Sequence, residues 1–252
     1  MRIIDIAAVY GQQNTRERSF TEPEQLISFM DRYGLTDVVA CNARALNDNQ
    51  RGNADAVKLV QEAGDRVMAA FILDMLIGDG RNPSQDAANL YDYLNEEKPA
   101  AIRMFPKKQS WRTMHPFYLR ELFAVLQELQ IPVMWDSHAK FVEYYPDIFT
   151  QFPQLRAILL RFPQAEARYF LPLMRQFPHV YTDTSKIFDF GAIEHYVNLF
   201  GAERILFAGG IPQLDPTVSL SNVICSKLRQ EDKEKILGLN FLRMKEETRW
   251  AK

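Results

Sequence analysis

Short apolar, β-branched runs recur along the chain at RIIDIAAV, TDVVACN, RVMAAFIL, AAIRMF, IPVMWD, LRAILLRF, HVYTDTS and RILFAG. Runs this short and this continuous predict eight strands buried on both faces, as in a parallel sheet. Segments with helical spacing separate them. In FYLRELFAVLQEL, residues Leu119, Leu122, Phe123, Leu126 and Leu129 share one face and predict a helix with a single core-facing stripe. Helix starts are marked as well. Thr21 with Glu24 three residues on predicts a capping box, and Asp215 before Pro216 predicts an N-cap followed by a first-turn proline. The tail EDKEKILGLNFLRMKEE predicts an extra C-terminal helix packed through Ile236, Leu237, Phe241 and Met244.

Strict alternation of strand and helix implies a parallel sheet with helices outside. Eight such units in 252 residues predict an α/β fold, a (β/α)8 TIM barrel with an extra C-terminal helix. The competing arrangement is an open, doubly wound sheet, but the glycines at 78–80 and 209–210 supply no complete dinucleotide-binding fingerprint opening a helix. With no low-complexity linker or composition break, residues 1–252 are expected to form a single domain.

Composition narrows the functional classes. A hydrophobic content of 47% supports a sizeable core, and 30 basic against 32 acidic residues leave a net charge of −2 without long runs of either sign. Nucleic acid and anionic membrane are therefore not expected partners. No apolar stretch approaches the ~18 residues of a membrane span, and the start lacks the order of a signal peptide, so a cytoplasmic location is expected. Cys41 and Cys225 match no paired-ligand spacing.

Reactive groups in this fold project from the C-terminal ends of the strands. That rule selects Asp5, Asp74, Arg103, Asp136 with His138, Arg161, Asp183 with Ser185, and Gly209 with Gly210. Arg161, Asp136 and Asp183 come from three consecutive strands ~4.8 Å apart, so their side chains can meet. Two readings follow: a charge cluster that closes the barrel end, or an anion site in which Arg161 and Arg103 grip a carboxylate or phosphate. Strand alternation puts His138 on the face of Asp136, where it is the one histidine expected near the mouth and is read either as a solvent-exposed or helix-capping residue or as a candidate general acid or base. Ser185 has no paired base in the sequence. The loop at 105–116 carries Lys107, Lys108 and Arg112 around Trp111, which suits either a lid over an anionic ligand or a solvated loop. The candidate set is Asp136, His138 and Asp183 for catalysis, with Arg103, Arg161 and Trp111 for substrate binding.

Four stretches, in order, resemble the amidohydrolase-related (amidohydrolase 2 type) metal-dependent hydrolases. IIDIAAVYG resembles that family's opening strand, usually I-I-D-x-H-x-H-x-G. GNADAVKLVQEAGDRVMAAFILD resembles its second helix and third strand, and HVYTDTS followed by FGAERILFAGGIPQLDP resembles strands seven and eight, usually ending F-G-S-D-x-P. EKILGLNFLRM, with Asn240, resembles its terminal helix.

The resemblance implies a hydrolase or decarboxylase with one divalent metal. Two histidines on strand one, one each on strands five and six, and an aspartate on strand eight would hold it. Here those positions fall on Ala7, Val9, Asp136, Arg161 and Gly210, of which Asp136 alone can ligate a metal. Three of the four histidines, His115, His179 and His195, are expected away from the mouth. The chain therefore reads as a divergent member without the metal ligands and without a metal cofactor. A site rebuilt from Asp5, Asp74 and Asp183 is the alternative, since oxygen ligands suit magnesium. The expected function is metal-independent hydrolysis or decarboxylation of a small anionic substrate, or a non-catalytic metabolite-binding or interaction role. A homo-oligomer is compatible with the sequence. Asp5 is read as a structural carboxylate in preference to a catalytic one.

Overall fold

The structure, a computed structural model, describes residues 1–13, 18–73, 83–109, 116–136, 142–162 and 167–251. Among the described residues the eight expected runs form parallel strands. They are β1 (Ile4–Tyr10), β2 (Asp37–Asn42), β3 (Val67–Phe71), β4 (Ala101–Met104), β5 (Val133–Asp136), β6 (Ala157–Leu160), β7 (Val180–Asp183) and β8 (Ile205–Leu206). They pair in sequential order. β1 meets the chain leaving β8 through Ile6 N–H to Phe207 O at 3.2 Å and Val9 N–H to Ile211 O at 3.0 Å. These bonds bring the first and last strands together in a nearly closed barrel.

Helices α1 (Pro23–Tyr33), α2 (Asn49–Ala63), α3 (Pro83–Glu97), α4 (Arg120–Leu129), α5 (Tyr145–Gln151), α6 (Ala167–Gln176), α7 (Ala192–Phe200) and α8 (Pro216–Ile224) connect and cover the strands. Period-2 alternation divides each strand between two cores. Val38, Ala40, Ile102, Met104, Val133, Trp135 and Leu159 pack outward against the helices, while Val39, Cys41, Met134, Ile158 and Leu160 fill the barrel. Trp135, fully buried, meets Phe123 of α4 edge-on and stacks on Tyr145 of α5, with ring centroids 5.6 Å apart in both cases. Full burial of one such side chain contributes roughly 1.5–3 kcal/mol. It also decides the facing of its strand neighbours, since an outward Trp135 leaves Met134 and Asp136 directed inward.

Two start signals resolve differently. Asp215 caps α8 as expected, its side chain accepting the Thr217 N–H at 2.9 Å ahead of Pro216. At α1 the cap is Glu22, one residue later than the Thr21–Glu24 spacing predicts, because Pro23 takes the first helical position. Gln25 then bridges the start of the helix, accepting the N–H of Thr21 at 2.9 Å and of Glu22 at 3.3 Å.

The C-terminal extension is helical throughout Gln230–Glu246. It comprises α9 (Gln230–Glu234), one π-helical turn (Lys235–Leu239) and α10 (Asn240–Glu246), and it buries Ile236, Leu237, Phe241 and Met244 as expected. No helix among the described residues is long and apolar enough to cross a membrane.

Candidate functional site

Ile102 and Met104 face the helices, so Arg103 between them enters the barrel, where it is 1% exposed. Its Nε donates to Asp136 Oδ2 at 2.9 Å, its Nη2 lies 2.8 Å from the same oxygen, and its guanidinium stacks over Phe105 at 5.0 Å. The other oxygen of Asp136 lies 3.4 Å from Nε of Arg161. One carboxylate at the end of β5 is thus held between two guanidinium groups.

Arg161 follows β6 with a positive φ of 58°, a conformation that costs an ordinary residue roughly 1–3 kcal/mol. Asp183 helps hold it there: its Oδ1 accepts the Arg161 N–H at 2.9 Å, and its Oδ2 accepts the Ser185 hydroxyl at 2.5 Å. The Arg161 side chain crosses the mouth toward the β8 side, where Nη1 donates to Gln213 Oε1 and Nη2 to the Gly210 carbonyl at 3.4 Å.

Electrostatics follow from this burial. Loss of solvent pushes Asp183 up to about 6, against the Ser185 hydroxyl, the Arg161 N–H and the two guanidinium groups, all of which favour its ionised form. Burial is the largest influence on Arg103 and would lower its pKa, but the charge of Asp136, with Cys41 and Asp183, outweighs it and the pKa is raised. Burial pushes the Cys41 thiol up to about 11, so it lines the barrel as a neutral group.

The β1 side is built differently. Ala7 and Val9 are buried among apolar neighbours. Asp5 is fully buried beside a register shift between Asp5 and Ala8, and its Oδ1 accepts the Ala7 N–H at 2.9 Å. Burial raises its pKa despite the amides of Ala7, Gly209 and Gly210 and the charge of Arg161. A Cβ at Gly209 would come within 2.7 Å of Asp5 Oδ2 and 2.5 Å of Pro216 Cβ, so only glycine fits over this carboxylate. Asp5 therefore braces the distorted strand, in keeping with the structural reading.

Beside this wall lies a pocket of about 370 Å³ lined by Gln12, Gln13, Ala43, Arg44, Leu46, Asn47 and Lys108. A 3₁₀ turn, Ala43–Leu46, carries Arg44 there. Asn42 caps the turn by accepting the Arg44 N–H at 2.9 Å, and Gly52 of α2 lets that helix press onto it, since a Cβ would meet Ala45 N at 2.1 Å. Gln213 joins pocket and axis: its Nε2 donates to Gln13 Oε1 at 2.6 Å.

Arg103, Asp136, Arg161 and Asp183 thus converge as alternation predicts, and Ser185 joins them. His138, Trp111 and Asp74, with Arg112 and His115, lie outside the described residues. His179 directly precedes β7 at the opposite end of that strand from Asp183, and His195 lies in α7. Gln13, Gln213 and Arg44 escape sequence reasoning: neutral amides carry no periodic signal, and Arg44 follows its strand only through a capped turn.

The five positions at which the resemblance places metal ligands are Ala7 and Val9 on β1, Asp136 at the end of β5, and Arg161 and Gly210 on the chain leaving β6 and β8. Among the described residues no group of three or more His, Cys, Asp or Glu side chains is arranged to hold a metal ion. Among the described residues, the donors do not fit a divalent metal: Asp136 is already paired with two cations, and both oxygens of Asp183 accept hydrogen bonds.

Sequential parallel strands with a polar site at their C-terminal ends define the (β/α)8 barrel class. The family model described as Amidohydrolase matches residues 6–244, and the chain belongs to that family. Three solved structures share the fold, each aligned over 97% of this chain. They are 2,6-dihydroxybenzoate decarboxylase from Rhizobium (TM-score 0.72, 14% identity, 98% of that chain covered), 5-carboxyvanillate decarboxylase from Sphingomonas paucimobilis (0.75, 10%, 99%) and an uncharacterized TIM-barrel protein from Bordetella bronchiseptica (0.75, 15%, 98%). No curated protein matches the chain.

Proposed function

We propose that this chain is an amidohydrolase-family barrel that has lost the metal site and binds a small anionic molecule at its mouth. The observation that carries this reading is the seating of Asp136 between Arg103 and Arg161. A divalent cation entering there would meet the fixed charge of Arg161 and would have to compete for the one ligand-type side chain left at the five positions. With Asp136 and Asp183 committed to internal partners, binding is favoured over catalysis.

A second reading keeps an activity: metal-independent hydrolysis or decarboxylation of a small anionic substrate. It is favoured by Asp183, whose pKa of about 6 suits proton transfer near neutral pH. Asp136 and His138 complete that acid/base set, with Arg103, Arg161 and Trp111 on the substrate's anionic group. Two of the structural neighbours are decarboxylases by name, which makes aromatic carboxylates the first compounds to try.

Elemental analysis of protein purified without chelator tests the shared premise. Zinc, manganese and iron are each expected well below one equivalent per chain, and a near-stoichiometric content of any of them would overturn the metal-free reading. Carbon dioxide release from a panel of aromatic carboxylates, abolished by Asp183→Asn, would favour the second reading over the first.

A further inference from the structure

We propose that the anion sits off the barrel axis, in the pocket beside β1, held through its oxygens by Gln13 Nε2, Lys108 and Arg44. This deepens the anion-binding reading of the mouth and rests on it. The ligand class is a small oxyanion, either an organic carboxylate with a short apolar stem or phosphate.

The first argument is charge compensation. On the axis, Arg103 and Arg161 face Asp136 and Asp183, so two cations meet two carboxylates. Among the described residues, the pocket lining contains Arg44 and Lys108 and no acidic side chain. Lys108 lies over the Phe105 ring at 5.4 Å and pairs with no carboxylate among the described residues. Arg44 reaches Asp55 at 3.3 Å in an exposed pair, which water screens and which holds it weakly. Among the described residues, the positive charge least compensated by carboxylates therefore lies in the pocket and not on the axis.

The second argument is independent and comes from the amides. A guanidinium only donates, so the Gln213 atom facing Arg161 is Oε1, and its Nε2 must donate to Gln13 Oε1. Gln13 Nε2 is consequently a donor. It is buried, in a side chain 4% exposed, and has no partner among the described residues. Gln13 lines the pocket, and a turn of its side chain presents this unpartnered donor to an acceptor bound there. Ala43 and Leu46 leave apolar wall for a short hydrocarbon stem, and a volume of about 370 Å³ admits a small metabolite.

Calorimetric titration of the full chain with succinate and with inorganic phosphate, at low ionic strength, tests this. At least one probe is expected to bind, and the stronger of the two identifies the source of the oxyanion. Gln13→Leu and Lys108→Met are each expected to weaken it about tenfold, and Asp55→Asn, which releases Arg44, to strengthen it about threefold. Lys108 is exposed, so that variant keeps the fold even if Gln13→Leu does not. Binding that survives both pocket variants unchanged but is lost in Arg161→Lys overturns the off-axis site and leaves the axial anion reading standing. Binding of neither probe overturns both. Stoichiometric metal in the purified chain instead removes the metal-free premise without touching the pocket result.

Discussion

The two walls of the barrel mouth solve the same problem in opposite ways. On the β4–β7 wall, charge is matched by charge in number: Asp136 is held between Arg103 and Arg161, and Asp183 accepts the Arg161 backbone N–H. On the β1–β2 wall Asp5 is sealed beneath Gly209, Ala7 and Val9 are apolar, and the polar groups at the pocket are amides and two cations. The contrast separates structure from binding capacity. A buried ionic group that already has its partner holds a fold in one arrangement, whereas a buried donor without one has bonding capacity left for a ligand.

The largest effect that breaks this contrast is expected from Asp136→Ala. It removes a partner of both guanidinium groups and leaves Arg103, 1% exposed, without its carboxylate. A loss of about 3–5 kcal/mol in unfolding free energy, read from urea denaturation, follows from stranding a buried charge. A loss under about 1 kcal/mol would mean that the cluster is solvated and interchangeable with the rim.

Next in size is a pH dependence. Asp183 titrates at about 6 in the folded chain against an ordinary value of 3.8, so between those values the native state holds a proton that the unfolded chain has released. Its favourable contribution is complete at the acid end of this window and disappears as pH rises through 6. A difference of about two pKa units corresponds to roughly 3 kcal/mol. Asp183→Asn should flatten the fall in stability between pH 4 and pH 6; an unchanged slope would show that another group carries it. Asp5, whose pKa is also raised, contributes in the same direction.

The smallest of the three expected effects lies on the opposite wall. Gly209→Ala forces a methyl to within 2.7 Å of the Asp5 carboxylate and 2.5 Å of Pro216, and about 1–3 kcal/mol of thermal or chemical stability should be lost. The anion affinity of the pocket should be preserved, because Gln13, Arg44 and Lys108 do not touch that contact.

Much of the barrel was legible because continuous apolar runs can bury both faces only inside such a sheet, and the inward direction of Arg103 and Asp136 follows from alternation once Ile102 and Trp135 face the helices. The shift of the α1 cap from Thr21 to Glu22 shows the limit of spacing alone: Pro23 fixes the first turn by its own dihedral, and the box forms around it. β8, just Ile205–Leu206, was found from a longer run than the ladder uses. Gln13 and Gln213 were invisible, since they stand 200 positions apart and nothing in either local pattern distinguishes a relay from a surface amide.

The sequence by itself determined the alternation of strand and helix, the family to which the chain belongs and the residue types at the positions where the resemblance places metal ligands, because each depends on local pattern or on identity at a known spacing. Tertiary structure alone decided which charges cancel. An ion pair or an amide hydrogen bond exists only within a few ångströms. Strand register puts Asp136 between two guanidinium groups, and the fold leaves Gln13 Nε2 without a partner in a residue that lines a pocket.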